Sequence, residues 1–246
     1  MKSILADEQH RTLLDFARKR VLLAFDFDGT LAPIVRKPEV AAMRRRTSML
    51  LAQLAKLYPC VVISGRSRAD VLEKVAAIPL RSVVGNHGME PSPNQRAWRR
   101  QTAKWHAQLA AALPPLPGLV IENKGVSLAV HFRRVHGRTA VRRLVLAVVA
   151  DLYGTRIVEG KMVVNILPSG APDKGTALVN LRKRLHCDSA IFIGDDDTDE
   201  DVFALAKPGH LLGIRVGRSR RTRATYFVTS QAAVDQLLVK LVEARR

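Results

Sequence analysis

Residues 21–31 read Val-Leu-Leu-Ala-Phe-Asp-Phe-Asp-Gly-Thr-Leu, an apolar run that ends in two aspartates one residue apart. The apolar run predicts a buried β-strand. Gly29 and Thr30 end that strand at once, which places Asp26 at its carboxyl tip and Asp28 on the turn beyond it. Open α/β sheets bind their ligands at the carboxyl ends of the strands. This stretch therefore predicts both the fold class and the edge of the sheet at which a site would lie.

The two carboxylates suit phosphoryl transfer, which needs a nucleophile in line with phosphorus and a cation to neutralise the phosphate. One oxygen of Asp26 can attack while the other holds magnesium, and Asp28 can protonate the leaving alkoxide and later take a proton from water. The alternative is a helix N-cap after a core strand, because Asp-Gly is a common turn. The spacing alone leaves both interpretations open.

The composition is typical of a globular protein. The chain has 246 residues, 47% of them hydrophobic, which fits one large or two small domains. Residues 1–20 carry charged side chains throughout, unlike a signal peptide, and no apolar run approaches the roughly 18 residues of a membrane span. We expect a cytoplasmic protein without membrane attachment, in which Cys60 and Cys187 are buried free thiols.

The chain is strongly basic, with 40 lysines and arginines against 22 aspartates and glutamates and a net charge of +18. Such a charge favours polyanionic partners. Aromatic residues make up only 5% of the chain and no nucleic-acid-binding module is recognisable, so we interpret most of the charge as solvated surface. Five arginines crowd into residues 215–223: Arg215, Arg218, Arg220, Arg221 and Arg223.

Strands and helices alternate in both terminal parts of the chain. The strand Cys60–Ser64 ends in Gly-Arg, and the strand Ser82–Val84 leads into Gly85-Asn-His-Gly-Met-Glu90. Further on, the strand Ala190–Ile193 runs into an acidic loop. Alternation of this kind predicts a doubly wound parallel sheet, a Rossmann-like α/β core.

Residues 92–167 have a different pattern. Prolines border a helix, and a hairpin, a second helix and a second hairpin follow. This order predicts a small antiparallel sheet with helices on one face. We therefore predict a core formed by residues 1–91 and 168–246, with residues 92–167 inserted as an α+β cap domain.

Residues 194–201 read Gly-Asp-Asp-Asp-Thr-Asp-Glu-Asp, six acidic residues in eight positions. Like charges this close repel one another unless cations offset them. Magnesium takes oxygen ligands and keeps several waters, so one or two of these carboxylates together with Asp26 would bind it. The alternative is an acid-rich helix start with Thr198 as N-cap and Asp201 at N3, which does not account for the first aspartates of the run.

Lys174 begins the helix that follows the predicted insert. A lone lysine at such a position is usually solvated, and it conflicts with the helix macrodipole, which favours anions at that end. A phosphate bound there would relieve the conflict.

In this order, the motifs strand-DxDGTL, strand-SGR, a lysine that opens a helix and strand-GDDDTDED match the four signature motifs of the haloacid dehalogenase superfamily. The match spans both terminal parts of the chain. The sequence further resembles the trehalose-phosphate phosphatase family. That closer resemblance lies in Phe25–Leu31, Ser64–Arg66, Gly85–Gly88 with Glu90, Pro172–Gly175 and Gly194–Glu200.

The resemblance implies a magnesium-dependent phosphatase with a doubly wound haloacid dehalogenase core. It implies that Asp26 is the nucleophile and forms an aspartyl-phosphate, while Asp28 is the general acid/base. Ser64 and Lys174 would hold phosphate oxygens. The implied metal ligands are Asp26, the backbone carbonyl of Asp28 and Asp195, with Asp196 and Asp199 in support.

The resemblance also implies that the insert is a mobile cap that closes over the sugar and excludes water. In relatives the glucose units are held by a Glu-x-Lys pair, an arginine nine residues on, and a Lys-x-x-x-Glu on the last hairpin. The final glutamate is Asn165 here, and an amide brings hydrogen bonds but no charge, which weakens the substrate assignment more than the reaction assignment. A polar hairpin surface also accounts for each cap residue taken alone. The implied substrate-binding residues are Gly65, Arg66, His87, Glu90, Glu122, Lys124, Arg133, Lys161 and Asn165.

We therefore predict hydrolysis of trehalose 6-phosphate to trehalose and phosphate. Three alternatives stay open: a phosphatase for another sugar phosphate, a phosphotransferase in which a sugar hydroxyl replaces water, and a basic nucleic-acid-binding or scaffold protein on a vestigial fold. The joint presence of Asp26, Asp28, Lys174 and Asp195 argues against the last. We expect a monomer that binds a small sugar phosphate, with a trehalose-phosphate synthase as its candidate protein partner.

Overall fold

The structure is a computed structural model and describes residues 1–35 and 37–245. No helix in these two ranges has the length and apolar character of a membrane span. In chain order, the strands and α-helices are β1 (Lys2–Ser3), α1 (His10–Ala17), β2 (Val21–Phe25), α2 (Arg45–Leu57), β3 (Cys60–Ile63), α3 (Arg68–Lys74), β4 (Ser82–Val84), α4 (Gln95–Ala112), β5 (Val120–Asn123), β6 (Leu128–His131), α5 (Arg138–Ala150), β7 (Thr155–Gly160), β8 (Val163–Pro168), α6 (Lys174–Arg184), β9 (Ser189–Gly194), α7 (Glu200–Phe203), β10 (Leu211–Val216), β11 (Tyr226–Val228) and α8 (Gln231–Glu243).

The chain divides into two compact units, Met1–Gly88 with Asp173–Arg246, and Met89–Pro172. We call the first the core unit and the second the insert unit. The insert predicted at 92–167 falls within the second unit.

The core unit contains a sheet of seven parallel strands in the order β1-β11-β10-β9-β2-β3-β4. All five residues of β2 are apolar and buried, which suits a strand covered on both faces. From β2 the chain adds strands on one side through β3 and β4, and on the other through β9, β10 and β11. The order reverses between β2 and β9, and sheets of this kind bind ligands in the crevice at that reversal.

Alternating side chains of β2 contact two helical layers. Val21, Leu23 and Phe25 pack in the layer that contains α1, α2, α3 and α8. Leu22 and Ala24 face the layer of α6 and α7. This arrangement, together with the separate antiparallel sheet of the insert unit, confirms the predicted fold class.

The insert unit contains a four-stranded antiparallel sheet in the order β5-β6-β8-β7. Apolar side chains such as Val130 and Val164 form a core with α4 and α5 on one face. Glu122 and Asn165 both pair with Ala129 in the register, so side-chain alternation places them together on the opposite face.

Candidate active site

Asp26 lies at the reversal of strand order. Its backbone N–H donates to the carbonyl of Ile193 in β9 at 2.9 Å, which joins the tip of β2 to its neighbour. One carboxylate oxygen each from Asp26, Asp195 and Asp199 lie within 4.8 Å of one another, and all three residues are buried. The folding of β2 against β9 therefore gathers an acidic cluster from opposite ends of the sequence.

Lys174 enters this cluster from the first turn of α6. Its Nζ donates to Oδ1 of Asp26 at 2.9 Å and to Oδ1 of Asp199 at 2.7 Å. Only 2% of the residue is exposed, so the interpretation of Lys174 as a solvated lysine is wrong. Asp173 is the N-cap of this helix, and its carboxylate accepts a hydrogen bond from the Thr176 N–H.

The cluster perturbs the pKa of both partners. Burial raises the pKa of Asp26 well above its ordinary value, Lys174 opposes that shift, and the carboxylates of Asp199, Asp195 and Asp28 add to it. Burial alone would lower the pKa of Lys174, but the charges of Asp199 and Asp26 outweigh burial and raise it. The ammonium is therefore held in its charged form.

A divalent cation fits this donor set. With all three aspartates ionised, one ammonium leaves a net charge of about −2 in a buried place, which is costly without a further cation. The donors are carboxylate oxygens, the ligands that magnesium prefers. Among the described residues, Oδ1 of Asp196 is a further buried oxygen without a hydrogen-bond partner, next to Asp195 in the chain.

Gly29 allows the turn after β2 to approach the acidic loop. Its φ angle is +79°, and a Cβ at this position would overlap the carboxylate of Asp195. Within the described residues no helix begins at this turn, since the next elements are a 3₁₀ turn at Pro38–Val40 and then α2. The interpretation of the aspartates as a helix N-cap is therefore wrong.

Arg66 clamps the carboxylate of Asp28. Its Nε donates to Oδ2 at 2.6 Å and its Nη2 to Oδ1 at 2.7 Å, while Nη1 donates to Asp70 at 2.7 Å. Burial lowers the pKa of Arg66, but its bonds to Asp28 and Asp70 outweigh burial and raise it. The sequence analysis did not predict that Asp70 pairs with Arg66. Its position four residues after Arg66, in the first turn of α3, could have indicated this ion pair.

The loops after β3 and β4 pack together beside this clamp. Ser64 is 1% exposed; its Oγ accepts from the Arg66 N–H at 3.2 Å, and its carbonyl accepts from the His87 N–H at 2.9 Å. A Cβ at Gly65 would strike the imidazole of His87, so only glycine leaves room for that ring. The structure thus brings Ser64, Gly65, Arg66 and His87 together at the carboxyl edge of the sheet.

The acidic loop starts its helix earlier than predicted. Asp196 is the N-cap of a 3₁₀ turn, Asp197–Asp199, and its N–H donates to Oδ2 of Asp199 at 2.9 Å in a capping box. The predicted capping pair of Thr198 and Asp201 is therefore wrong, because the 3₁₀ turn precedes α7 and moves the cap two residues toward the N-terminus.

Arg215 supports the acidic loop from β10. Its Nη1 donates to the Asp196 carbonyl at 3.2 Å and to Glu200 Oε1 at 3.0 Å, and the residue is buried. The interpretation of most of the positive charge as solvated surface therefore does not extend to Arg215. Its place inside the apolar strand Leu211–Val216 was the signal for burial.

The insert unit carries the remaining predicted residues. Glu122 is exposed and its Oε2 lies 2.7 Å from Nε2 of His131. Asn165 is only 5% exposed, and its Nδ2 donates to the Val158 carbonyl at 3.1 Å, so its amide is engaged in the sheet. Glu90 belongs to this unit and is buried.

Arg133 and Lys161 meet at one end of the insert sheet. Nη2 of Arg133 donates to the Lys161 carbonyl at 3.4 Å, and both residues are exposed. Lys124 is half-buried on the turn between β5 and β6. Their binding of substrate stays a prediction.

A buried carboxylate cluster at the strand reversal of such a sheet is the arrangement of the haloacid dehalogenase phosphatases. The trehalose-phosphatase family model matches residues 24–232. The chain belongs to this family of phosphoric monoester hydrolases, which confirms the resemblance found in its motifs.

Individual relatives agree with this assignment. The chain is 34% identical to "Probable trehalose-phosphate phosphatase 4" of Oryza sativa, with 93% of this chain and 67% of the relative covered. It is 30% identical to "Trehalose-phosphate phosphatase B" of Arabidopsis thaliana, with 93% and 68% covered. The C-terminal domain of Candida albicans trehalose-6-phosphate phosphatase has the same fold, with a TM-score of 0.79, 22% identity, and 95% of this chain and 97% of that chain covered.

Proposed function

We propose that this protein hydrolyses trehalose 6-phosphate to trehalose and phosphate in a magnesium-dependent reaction. The observation that carries the proposal is the buried Asp26–Lys174 pair at the strand reversal of a chain that belongs to the trehalose-phosphatase family. The relatives named above are trehalose-phosphate phosphatases at 34% and 30% identity.

In the first half-reaction a carboxylate oxygen of Asp26 attacks phosphorus. Lys174 contacts Oδ1, so we assign the attack to Oδ2. The Asp26–phosphorus bond forms as the bond from phosphorus to the sugar oxygen breaks, and Asp28 gives a proton to that oxygen. Ser64 and Lys174 hold the remaining phosphate oxygens.

In the second half-reaction water attacks the aspartyl-phosphate. Asp28, deprotonated by the first step, takes the proton of that water, and Asp26 and phosphate are released. Arg66 holds both oxygens of Asp28, so we assign Arg66 the task of placing this carboxylate.

Magnesium, when bound, would neutralise charge on the phosphate and on the attacking carboxylate. Asp26, the carbonyl of Asp28 and Asp195 would hold it, with Asp196 in support. Asp199 supports the site by holding Lys174.

We assign sugar recognition to the insert unit as a cap. Its polar residues proposed to bind substrate are Glu90, Glu122, Lys124, Arg133, Lys161 and Asn165; Gly65, Arg66 and His87 belong to the core unit. A phosphatase for another glycosyl phosphate is the second candidate, because Asn165 carries no charge and its amide is bonded to Val158. We further propose that the protein acts as a cytoplasmic monomer on the product of a trehalose-phosphate synthase.

The test is phosphate release from trehalose 6-phosphate, glucose 6-phosphate, sucrose 6-phosphate and glucosylglycerate phosphate, each with magnesium and with EDTA. We expect a strong preference for trehalose 6-phosphate that EDTA abolishes. Preference for another of the four phosphates would leave the assignment as a phosphatase unchanged and would change the assigned substrate.

The nucleophile is tested by Asp26→Asn, with Asp15→Asn on the exposed face of α1 as control. Asp26→Asn should abolish turnover, by a factor of about 10⁴ or more, because an amide cannot form the phospho-intermediate. Appreciable residual turnover in correctly folded Asp26→Asn would rule out the assignment.

A further inference from the structure

The loop 217–224 between β10 and β11 is a separate basic feature of the core unit; we call it the arginine loop. Arg218, Arg220, Arg221 and Arg223 are exposed along it. Within the described ranges, none of these four guanidinium groups donates a hydrogen bond or forms an ion pair. Four like charges in so short a segment repel one another.

The arginine loop borders an open surface groove of about 660 Å³. None of the residues assigned to the reaction lines it. The lining residues are Met1, Arg218, Ser219, Arg220, Thr222 and Ala224.

Glu200 holds the arginine loop in place. Its carboxylate accepts from the Thr222 hydroxyl at 2.6 Å, from the Arg223 N–H at 2.8 Å and from Arg215 at 3.0 Å. The guanidinium of Arg218 lies 4.7 Å from the centre of the Phe227 ring. A loop ordered in this way loses little further conformational entropy when it binds a ligand.

The chemistry of the lining selects the ligand. One guanidinium group can donate two parallel hydrogen bonds to two oxygens of a phosphate, and neighbouring guanidinium groups can bind neighbouring phosphates in the same way. The lining includes no aromatic side chain on which a nucleic-acid base would stack, which disfavours single-stranded polymers. We propose that the arginine loop binds a small polyphosphate-bearing anion at a site separate from Asp26.

The test is titration calorimetry with inorganic tripolyphosphate in EDTA at physiological salt. Arg218→Ala/Arg220→Ala should weaken binding by about tenfold or more, since it removes the two arginines that line the groove. Arg45→Ala/Arg46→Ala on α2 removes the same charge from another exposed place and should bind within about twofold of the unaltered protein. Arg220→Ala alone, which disturbs no ring contact, should also weaken binding.

Three results would overturn the proposal. Unchanged affinity in both loop variants would place the anion elsewhere, including at Lys174. Equal weakening in the α2 variant would show that net charge alone attracts it. Tighter binding of single-stranded oligothymidylate than of tripolyphosphate, lost in the same loop variants, would identify a polymer surface instead of a small-molecule site.

Discussion

Arg66 is the residue whose surroundings differ most from what its motif suggests. The family resemblance places it among substrate-binding residues, yet its guanidinium contacts both oxygens of Asp28 and one of Asp70. A bidentate pair fixes the direction of a carboxylate as well as its charge. The role of Arg66 is therefore testable through the step that Asp28 performs.

Replacing Arg66 with alanine should lower kcat by about 10²–10³-fold, the usual worth of a positioned acid/base, with little change in KM. The loss should be smaller for a small aryl phosphate than for trehalose 6-phosphate, because an aryl oxide leaves without the proton that Asp28 gives to the sugar oxygen. Arg66→Lys should recover only part of kcat, since an ammonium cannot donate the two parallel hydrogen bonds that a guanidinium gives to a carboxylate.

Arg81→Ala, at an exposed arginine before β4, is the matched control and should leave both constants unchanged. If Arg66→Ala instead raised only the KM for trehalose 6-phosphate, Arg66 would be a sugar contact and the clamp would have no catalytic role.

Cys60, the first residue of β3, gives the chain a pH-dependent stability. Burial raises the pKa of its thiol to about 12, from an ordinary value of 9.0. The unfolded chain loses this proton above pH 9 while the folded chain keeps it, so stability falls as pH rises above that value. Between pH 8 and pH 10 this should lower the free energy of unfolding by about 1 kcal/mol.

Urea unfolding of Cys60→Ala at both pH values isolates this effect. The variant lacks the thiol, so the stability difference between the two proteins should narrow by about 1 kcal/mol from pH 8 to pH 10. A constant difference would mean that Cys60 does not titrate on unfolding.

At the scale of secondary-structure elements, the central strands were predicted from short apolar runs that are followed directly by polar residues. β2, β3 and β9 each end in a motif, so their carboxyl ends and site residues could be placed from the sequence. β1 and β11 could not be placed, because strands of two and three residues carry too little local pattern and their pairing is decided by tertiary contacts.

The sequence predicted which residues form the site better than it predicted the contacts between them. Asp26 and Asp199 were both named from motifs, but the contact that Lys174 makes with both depends on how α6 packs against β3 and the 3₁₀ turn Asp197–Asp199. The Arg66–Asp28 and Glu200–Thr222 contacts join loops far apart in sequence, so no spacing rule indicates them.

The insert sheet yields a prediction of its own. Arg133 is exposed beside Lys161 at one end of β7 and β8, where it is proposed to contact sugar. Arg133→Ala should raise the KM for trehalose 6-phosphate about tenfold, the worth of one lost charge-assisted hydrogen bond, and leave turnover of a small aryl phosphate nearly unchanged. Arg134→Ala, the exposed neighbour, is the control. Equal losses on both substrates would contradict a sugar-side role.

At the scale of the whole molecule, we expect the stability of the core unit to depend on the positive charge that offsets Asp26, Asp195 and Asp199. Lys174→Met leaves Asp26 and Asp199 without their ammonium and should destabilise the fold in EDTA by about 3–5 kcal/mol. Magnesium should recover part of this loss and should raise the thermal midpoint of the variant more than that of the unaltered protein.

Lys183→Met on the exposed side of the same helix should show neither effect. A Lys174→Met variant with the same thermal midpoint in EDTA and in magnesium would contradict the assignment of the cluster as a cation site.

Gly88 and Asp173 are the last and first core residues on either side of the insert, and they touch: a Cβ at Gly88 would overlap the carbonyl of Asp173. The gap in the core chain is thus already closed in space. A short peptide graft from Gly88 to Asp173 would bridge it without severing any strand of the parallel sheet. We therefore expect that the insert unit can be exchanged for another of different length or selectivity without breaking the chain of the core sheet.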